Sequence, residues 1–402
     1  MKKMTLRTLP AMLMLAFSGA ASASAFQLWE QSASGVGSAY AGSAAVADNA
    51  AMAFYNPAGL TQLTGFQLSA GVAGVGPSYK FRNEGSTGTG AGAVSGGNGG
   101  DAGSWAAVPN AHFSWQLTPD WFFGFGITTP FGLATEYKDS SWMGRFQSLK
   151  SEVKTVNYNP SLGYRVNDKV SLGFGVNYQT IDAELTSTGS RLKGDDSAWG
   201  WNAGALFTLS PAMRIGVSYR SAVKYTLTGT ANSSPVKADV KLPDTFIMSV
   251  WQQVSDRWEA MGDLSYTRWS SLKTLNVLDS NSGAFLTSEN FNYKNSWRLA
   301  WGAAYQISAP FKLKFGVAYD RTPTTDAYRS ARVPDNNRFW FSLGGQWNLG
   351  QAGKLDLGYT YIYAKDPSIS QYKDLGVAGS STLNGKYDVN AHVVGLQYSV
   401  GF

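Results

Sequence analysis

From Thr64 to the C-terminus, apolar residues return at every second position, the spacing of a β-strand with one apolar face. Val170, Leu172, Phe174, Val176 and Tyr178 alternate with Ser171, Gly173, Gly175, Asn177 and Gln179. The pattern recurs at Trp121, Phe123, Phe125 and Ile127, at Leu313, Phe315, Val317 and Tyr319, and from Leu355 through Tyr363. A soluble sheet alternates in the same way, so the period alone does not separate a sandwich from a membrane barrel.

Turn spacing separates them. Short connections at Thr118-Pro119-Asp120, Asn167-Asp168, Ser210-Pro211, Ser255-Asp256, Ala309-Pro310 and 350–353 alternate with longer ones. The longer ones, polar or Gly-rich, fall at 83–104, 132–151, 188–196, 229–238, 273–292, 323–334 and 367–385. Short turns on one side and long loops on the other are the asymmetry of outer-membrane barrels, and this alternation implies about fourteen strands. They are expected near 64–82, 105–118, 121–131, 152–166, 169–187, 197–210 and 212–228. The remainder are expected near 239–254, 257–272, 293–308, 310–322, 335–349, 354–366 and 386–402. The loop from Gly85 to Gly103 is low-complexity and reads as flexible, with no chemistry attached.

Composition supports a membrane barrel. Beyond the leader no apolar run reaches the ~18 residues of a membrane helix. The chain nevertheless carries 14 Trp, 20 Tyr, 21 Phe and 45 Gly, a load that suits aromatic girdles at two interfaces. Val394, Leu396, Tyr398 and Val400 alternate up to a terminal Phe402, which resembles the signal that barrel assembly machinery recognises. At the other end, Lys2, Lys3 and Arg7 precede an apolar stretch from Leu9 to Phe17 and the small residues 21–25. That is a secretory leader, 1–25, cut after Ala25 or alternatively after Ala23. Without its three cations, 30 basic residues face 27 acidic ones, too small an excess to argue for nucleic acid.

Between leader and strands lies Phe26 to Leu60, rich in Ala, Gly and Ser and closing on Asn56-Pro57-Ala58-Gly59. A segment with so few bulky residues cannot build its own core; it packs inside something else. The expected organisation is therefore an N-terminal plug (hatch), 26–63, inside the lumen of a fourteen-stranded antiparallel transmembrane β-barrel, 64–402.

This segment resembles the hatch of the long-chain fatty acid transporters of the Gram-negative outer membrane, the FadL type. The matching residues are Phe26-Gln27-Leu28, Ser34-Gly35-Val36-Gly37, Ala39-Tyr40-Ala41-Gly42, Ala47-Asp48 and Asn56-Pro57-Ala58. Residues 130–137 and 159–165 also resemble family segments. The resemblance implies passive uptake of a hydrophobic molecule, with no cofactor. External loops would collect the ligand from solvent or lipopolysaccharide; it would then reach a pocket above the plug and leave sideways through the wall. Family members carry fatty acids or aromatic hydrocarbons, and the residues leave that choice open.

Several residues are candidates for parts of this route, each with a plainer reading beside it. Asn56, Pro57 and Ala58 form either a turn that ends the plug or a constriction of the passage. Phe26, Leu28 and Trp29, at a free chain end, either gate the ligand pocket or wedge the plug in place. Trp142, Arg145 and Phe146 suit capture of an amphipathic carboxylate, or are rim aromatics. Pro130 and Gly132 interrupt the third strand: by resemblance a lateral opening, by position also a strand end. Arg220 and Arg338 point inward by alternation, where Arg338 would meet a head group or pair with a carboxylate such as Asp263.

Enzyme chemistry has little to work with. The only histidines are His112 and His392, and cysteine is absent, which leaves no three-His zinc site and no thiolate ligand. The histidines read as interface or interior side chains. A general porin, a lipid-acting barrel enzyme and an adhesin are the rival classes, and none of them explains residues 26–60. The expected partners are the hydrophobic ligand, outer-membrane lipid and lipopolysaccharide, and the assembly machinery, with the protein itself a monomer.

Overall fold

The computed structural model describes residues 25–402. The leader predicted at 1–25 lies, up to residue 24, outside the described residues. The described chain forms one closed antiparallel barrel of fourteen wall strands. They run β1 Phe66–Asn83, β2 Ala106–Gln116, β3 Trp121–Thr128 resuming at Gly132–Glu136, β4 Lys150–Arg165 and β5 Val170–Ser187. Next come β6 Ser190–Ser210, β7 Met213–Arg220 with Val223–Ala231, β8 Ser234–Leu242 with Thr245–Gln253, and β9 Trp258–Thr267 with Thr274–Asp279. The last are β10 Phe285–Asn290 with Ser296–Ser308, β11 Phe311–Asp320, β12 Arg338–Asn348, β13 Lys354–Ala364 with Ser368–Asp374, and β14 Gly379–Gly401. Each pairs with its sequence neighbour, and β1 closes on β14 with Val72 opposite Leu396. Closure removes the edge that an open sheet would expose to lipid.

The two faces divide as the alternation predicts. On β5, Leu172, Phe174 and Val176 are exposed on the outside, whereas Ser171, Asn177 and Gln179 are buried within. Trp201, Phe246, Phe341, Leu357 and Leu396 likewise stand outside. Such a continuous exposed apolar surface needs lipid around it.

Several predicted loops are instead strand. Residues 188–196 and 229–238 lie largely in tight hairpins, Ser187 pairing with Ser190 and Ala231 with Ser234. In the 367–385 connection, Ser368–Asp374 pairs along β14. The ladder continues beyond the apolar band because each strand still has a neighbour to satisfy its backbone. Apolar side chains there are isolated, Leu192, Val236 and Ile369 each standing among polar residues, so hydropathy shows no period. The Gly-rich 83–104 connection also has local structure: Thr87–Gly90 pairs with β14.

Residues 25–63 run through the barrel and are fastened to its inner face. Three short helical turns, Ala33–Ser38, Met52–Tyr55 and Pro57–Gln62, carry them. Ser32 Oγ donates to Gln397 Oε1 at 2.8 Å, Ser43 Oγ to Asp263 at 2.6 Å, and Thr61 Oγ1 to Ser171 Oγ at 2.7 Å. Wall side chains in turn donate to backbone carbonyls of this segment, Thr360 to Val36 at 3.0 Å and Arg298 to Ala39 at 2.6 Å. Small residues permit the approach: a Cβ at Gly37 would stand 2.8 Å from Gly344 Cα.

Candidate functional site

The wall is broken in β3. Its lower half pairs with β2 from Gln116 opposite Phe122 to Ala111 opposite Ile127, and among the described residues no rung joins the two strands beyond that point. On the other side, pairing with β4 reaches Thr128 opposite Asn157 and resumes at Gly132 opposite Lys154. Four steps along β3 therefore match three along β4, a bulge at Thr129-Pro130-Phe131. The Thr155 hydroxyl occupies it, accepting from Phe131 N at 3.0 Å and donating to Phe131 O at 2.7 Å. Pro130 has no N–H to give a ladder, and the break falls where it stands.

The start of the N-terminal segment takes the place of the absent neighbour. Leu28 N donates to Pro130 O at 2.8 Å, Gly132 N to Phe26 O at 2.9 Å, and Gln31 Nε2 to Thr129 O at 2.7 Å. Phe26 also packs edge-on against Trp269, ring centres 4.9 Å apart, and against Phe131 at 6.1 Å. Three residues of chain therefore carry both the last backbone bonds of the broken strand and an aromatic cluster.

Two cavities lie on either side of this short strand. The upper one, toward the long loops, is partly open to solvent and is lined by Phe26, Leu133, Leu227, Leu242, Leu275 and Arg332 among others. The lower lies between Leu28, Trp29, Phe54, Pro130, Phe131 and Arg220. A third space, on the short-turn side of the segment, has the charged groups of Asp48, Glu259, Lys312 and Lys314 on its walls. Tyr55 lines both this space and the lower cavity, its hydroxyl donating to Trp29 O at 2.6 Å.

Most of the residues singled out from the sequence converge here, and some do not. Phe26, Leu28, Trp29, Pro130 and Gly132 meet at the break. Asn56, Pro57 and Ala58 are buried against the wall and line none of these three cavities. Asn56 Nδ2 donates to Ala44 O at 2.8 Å and Ala205 O at 3.0 Å, and Asn56 Oδ1 accepts from Ala58 N at 3.1 Å. These bonds fasten the element to the wall and to Ala44, as a turn that ends the segment requires.

Trp142 is fully buried, stacked on Tyr137 with ring centres 3.8 Å apart, its Nε1 donating to Ser148 O at 2.9 Å. An apolar ring in an otherwise polar loop becomes that loop's own core and is not presented outward. Arg145 lies over Phe146 at 4.8 Å and donates to Ser95 O at 3.2 Å and Trp142 O at 3.3 Å, tying two loops together. Arg338 does face inward, but its Nε donates to Asp335 Oδ1 at 2.9 Å and both residues are buried. Asp263, expected to pair with an arginine, instead accepts from Ser43 N at 3.0 Å and Ser249 Oγ at 2.8 Å. His112 Nε2 bonds Gln31 O at 2.8 Å, and His392 faces outward beside Tyr359. The two histidines are on opposite faces of the wall and form no pair.

Sequence reasoning passed over Gln31, Trp269 and Glu30. Glu30 is buried with Oε2 lacking a hydrogen-bond partner. Burial pushes its carboxyl up to about 7 from the ordinary 4.5, with Arg298 nearby pulling the other way. A lone Glu beside apolar residues was the available signal.

A closed antiparallel barrel with an apolar outer face, a filled lumen and a broken wall strand defines an outer-membrane transport protein. The family described as "Outer membrane protein transport protein (OMPP1/FadL/TodX)" matches residues 14–402, and the chain belongs to it. It is 32% identical to outer membrane protein P1 of Haemophilus influenzae over 100% of both chains. To the long-chain fatty acid transport protein of Escherichia coli K12 it is 27% identical, over 86% of this chain and 89% of that one. The fold is that of a Pseudomonas aeruginosa FadL homologue, with TM-score 0.87 at 22% identity over 94% of this chain and all (100%) of the other. The Ralstonia pickettii toluene transporter TbuX gives 0.66 at 19% identity, over 91% of this chain and 98% of that one.

Proposed function

We propose that this protein admits hydrophobic molecules, long-chain fatty acids foremost, through the outer membrane by diffusion. The observation that carries the reading is the Phe26–Leu28 strand, which partitions two largely apolar cavities while bonded to the break in β3. Ligand collected from the lipopolysaccharide surface by the external loops would enter the upper cavity. Displacing Phe26–Trp29 would join the cavities and release the bonds at Pro130 and Gly132 together. The ligand would then leave sideways into the membrane and never cross water, which an alkyl chain disfavours. The plug (26–63) stays anchored through Asn56, so only its free end moves. The barrel works as a monomer, inserted through its C-terminal Phe402 signal.

The test is uptake of labelled oleate and labelled toluene by cells with this protein as their only such channel, beside a variant lacking Phe26 to Trp29. Oleate uptake lost on truncation supports the reading. Toluene uptake alone keeps the route and changes the substrate. Uptake of small sugars with neither of these would make it a polar porin.

A further inference from the structure

We propose that the lower cavity is an anion-binding waypoint in which Arg220 holds the carboxylate of an amphipathic ligand. The proposal rests on the uptake reading above and assigns the ligand its head group.

Arg220 ends the first segment of β7, and its guanidinium reaches inward. One Nη donates to Phe54 O at 2.8 Å and to Asn159 Oδ1 at 3.1 Å; the other donates to Asn177 Oδ1. Its carbon lies 3.9 Å above the Phe54 ring centre. Every one of these partners is neutral.

Five other interior cations are provided with acids. Arg338 has Asp335, Lys314 has Asp356 at 2.6 Å, and Arg332 has Glu289 at 3.2 Å. Arg298 lies among Asp320, Asp263 and Glu30, and Arg214 faces Asp48 and Glu259. Among the described residues no carboxylate forms an ion pair with Arg220, and none figures among its charged neighbours. Withdrawing a cation from water is costly unless an anion meets it. Arg220 is nonetheless partly accessible, and the space it opens onto is the lower cavity.

That cavity is lined by polar and apolar groups together: Arg220, Asn177 and Gln179 with Leu28, Trp29 and Phe131, beside the break in β3. A guanidinium offers a planar fork of donors that matches a carboxylate. The arrangement seats a head group at Arg220 with its alkyl chain toward the wall. A neutral arene would leave the charge uncompensated.

Equilibrium binding of laurate and dodecanol to the purified full-length protein tests this, because the two share one alkyl chain and differ in head group. The wild type should prefer laurate by about tenfold or more, the scale of a charge-assisted hydrogen bond. Arg220→Met should abolish the preference by bringing laurate binding down to that of dodecanol. Asn177→Asp keeps Arg220 but gives it an internal carboxylate, and should also abolish the preference; it serves if R220M does not fold. Preference that survives in either folded variant overturns the proposal, as does preference lost only in Arg332→Met, which would move the head group to the upper cavity. A wild type that binds neither compound sinks the uptake reading itself.

Discussion

The backbone N–H of Leu28 donates to the carbonyl of Pro130 at 2.8 Å. Two features that are far apart in the chain, a mobile-looking start and a proline-broken strand, are thereby one structural unit. On the route proposed above, a ligand that pushed this segment aside would also strip a backbone bond from the wall, so opening the cavity and loosening the wall would be the same event.

Leu28→Pro removes that donor. With a net hydrogen-bond contribution of about 1 kcal/mol, the amides of residues 26–31 should exchange about fivefold faster by mass spectrometry. Exchange in the β1–β14 seam should stay as it was. Unaltered N-terminal exchange would mean that packing of Phe26 on Trp269 holds the strand alone.

Gly173 lies against the backbone of Pro57 and Ala58, leaving no room for a side chain. Gly173→Val should cost about 1–3 kcal/mol through overpacking and lower the temperature at which the barrel loses its unheated gel mobility. Gly262→Ala is the control, since a Cβ there meets only Ala300 O at 4.0 Å.

Glu30 makes stability depend on pH. Its folded-state pKa of about 7 lies above the ordinary 4.5 because burial disfavours the charge. The folded state therefore binds the proton more tightly. The resulting stabilisation is fully present below pH 4.5 and lost as pH rises toward 7. At most it amounts to about 3 kcal/mol. Denaturation midpoints should fall across that window in the wild type and be flatter in Glu30→Gln, which stays neutral; equal slopes would refute this.

Arg338→Ala should destabilise by about 3–5 kcal/mol, because Asp335 is left buried without its cation. The preference between laurate and dodecanol should survive in the folded fraction. Its loss would transfer the head-group role from Arg220 to Arg338.

Much of the fold was legible because it is written in local chemistry. The alternation along Leu172, Phe174 and Val176 names the lipid face wherever the strand ends up. The small residues from Ser34 to Gly42 announce a close approach before the partner is known. Strand ends at 188–196 and 229–238 were missed because isolated apolar residues such as Leu192 and Val236 carry no period. Trp142 misled for a related reason: whether an aromatic ring in a loop is offered or hidden depends on neighbours such as Tyr137 and the Gly-rich loop, whose Gly97 O accepts from Met143 N at 3.1 Å.

The chain by itself determined that this is a membrane barrel with something small packed inside, and which side chains face inward. Alternation and residue size are properties of each strand alone. Tertiary structure decided where Asn56 is fastened, that Phe26–Leu28 bonds the break in β3, and that Arg338 has an acid where Arg220 has none. The first two depend on closure, which brings Asn56 to Ala205 and Leu28 to Pro130, each pair more than a hundred positions apart, to hydrogen-bond distance; the third is local, Asp335 lying three residues before Arg338.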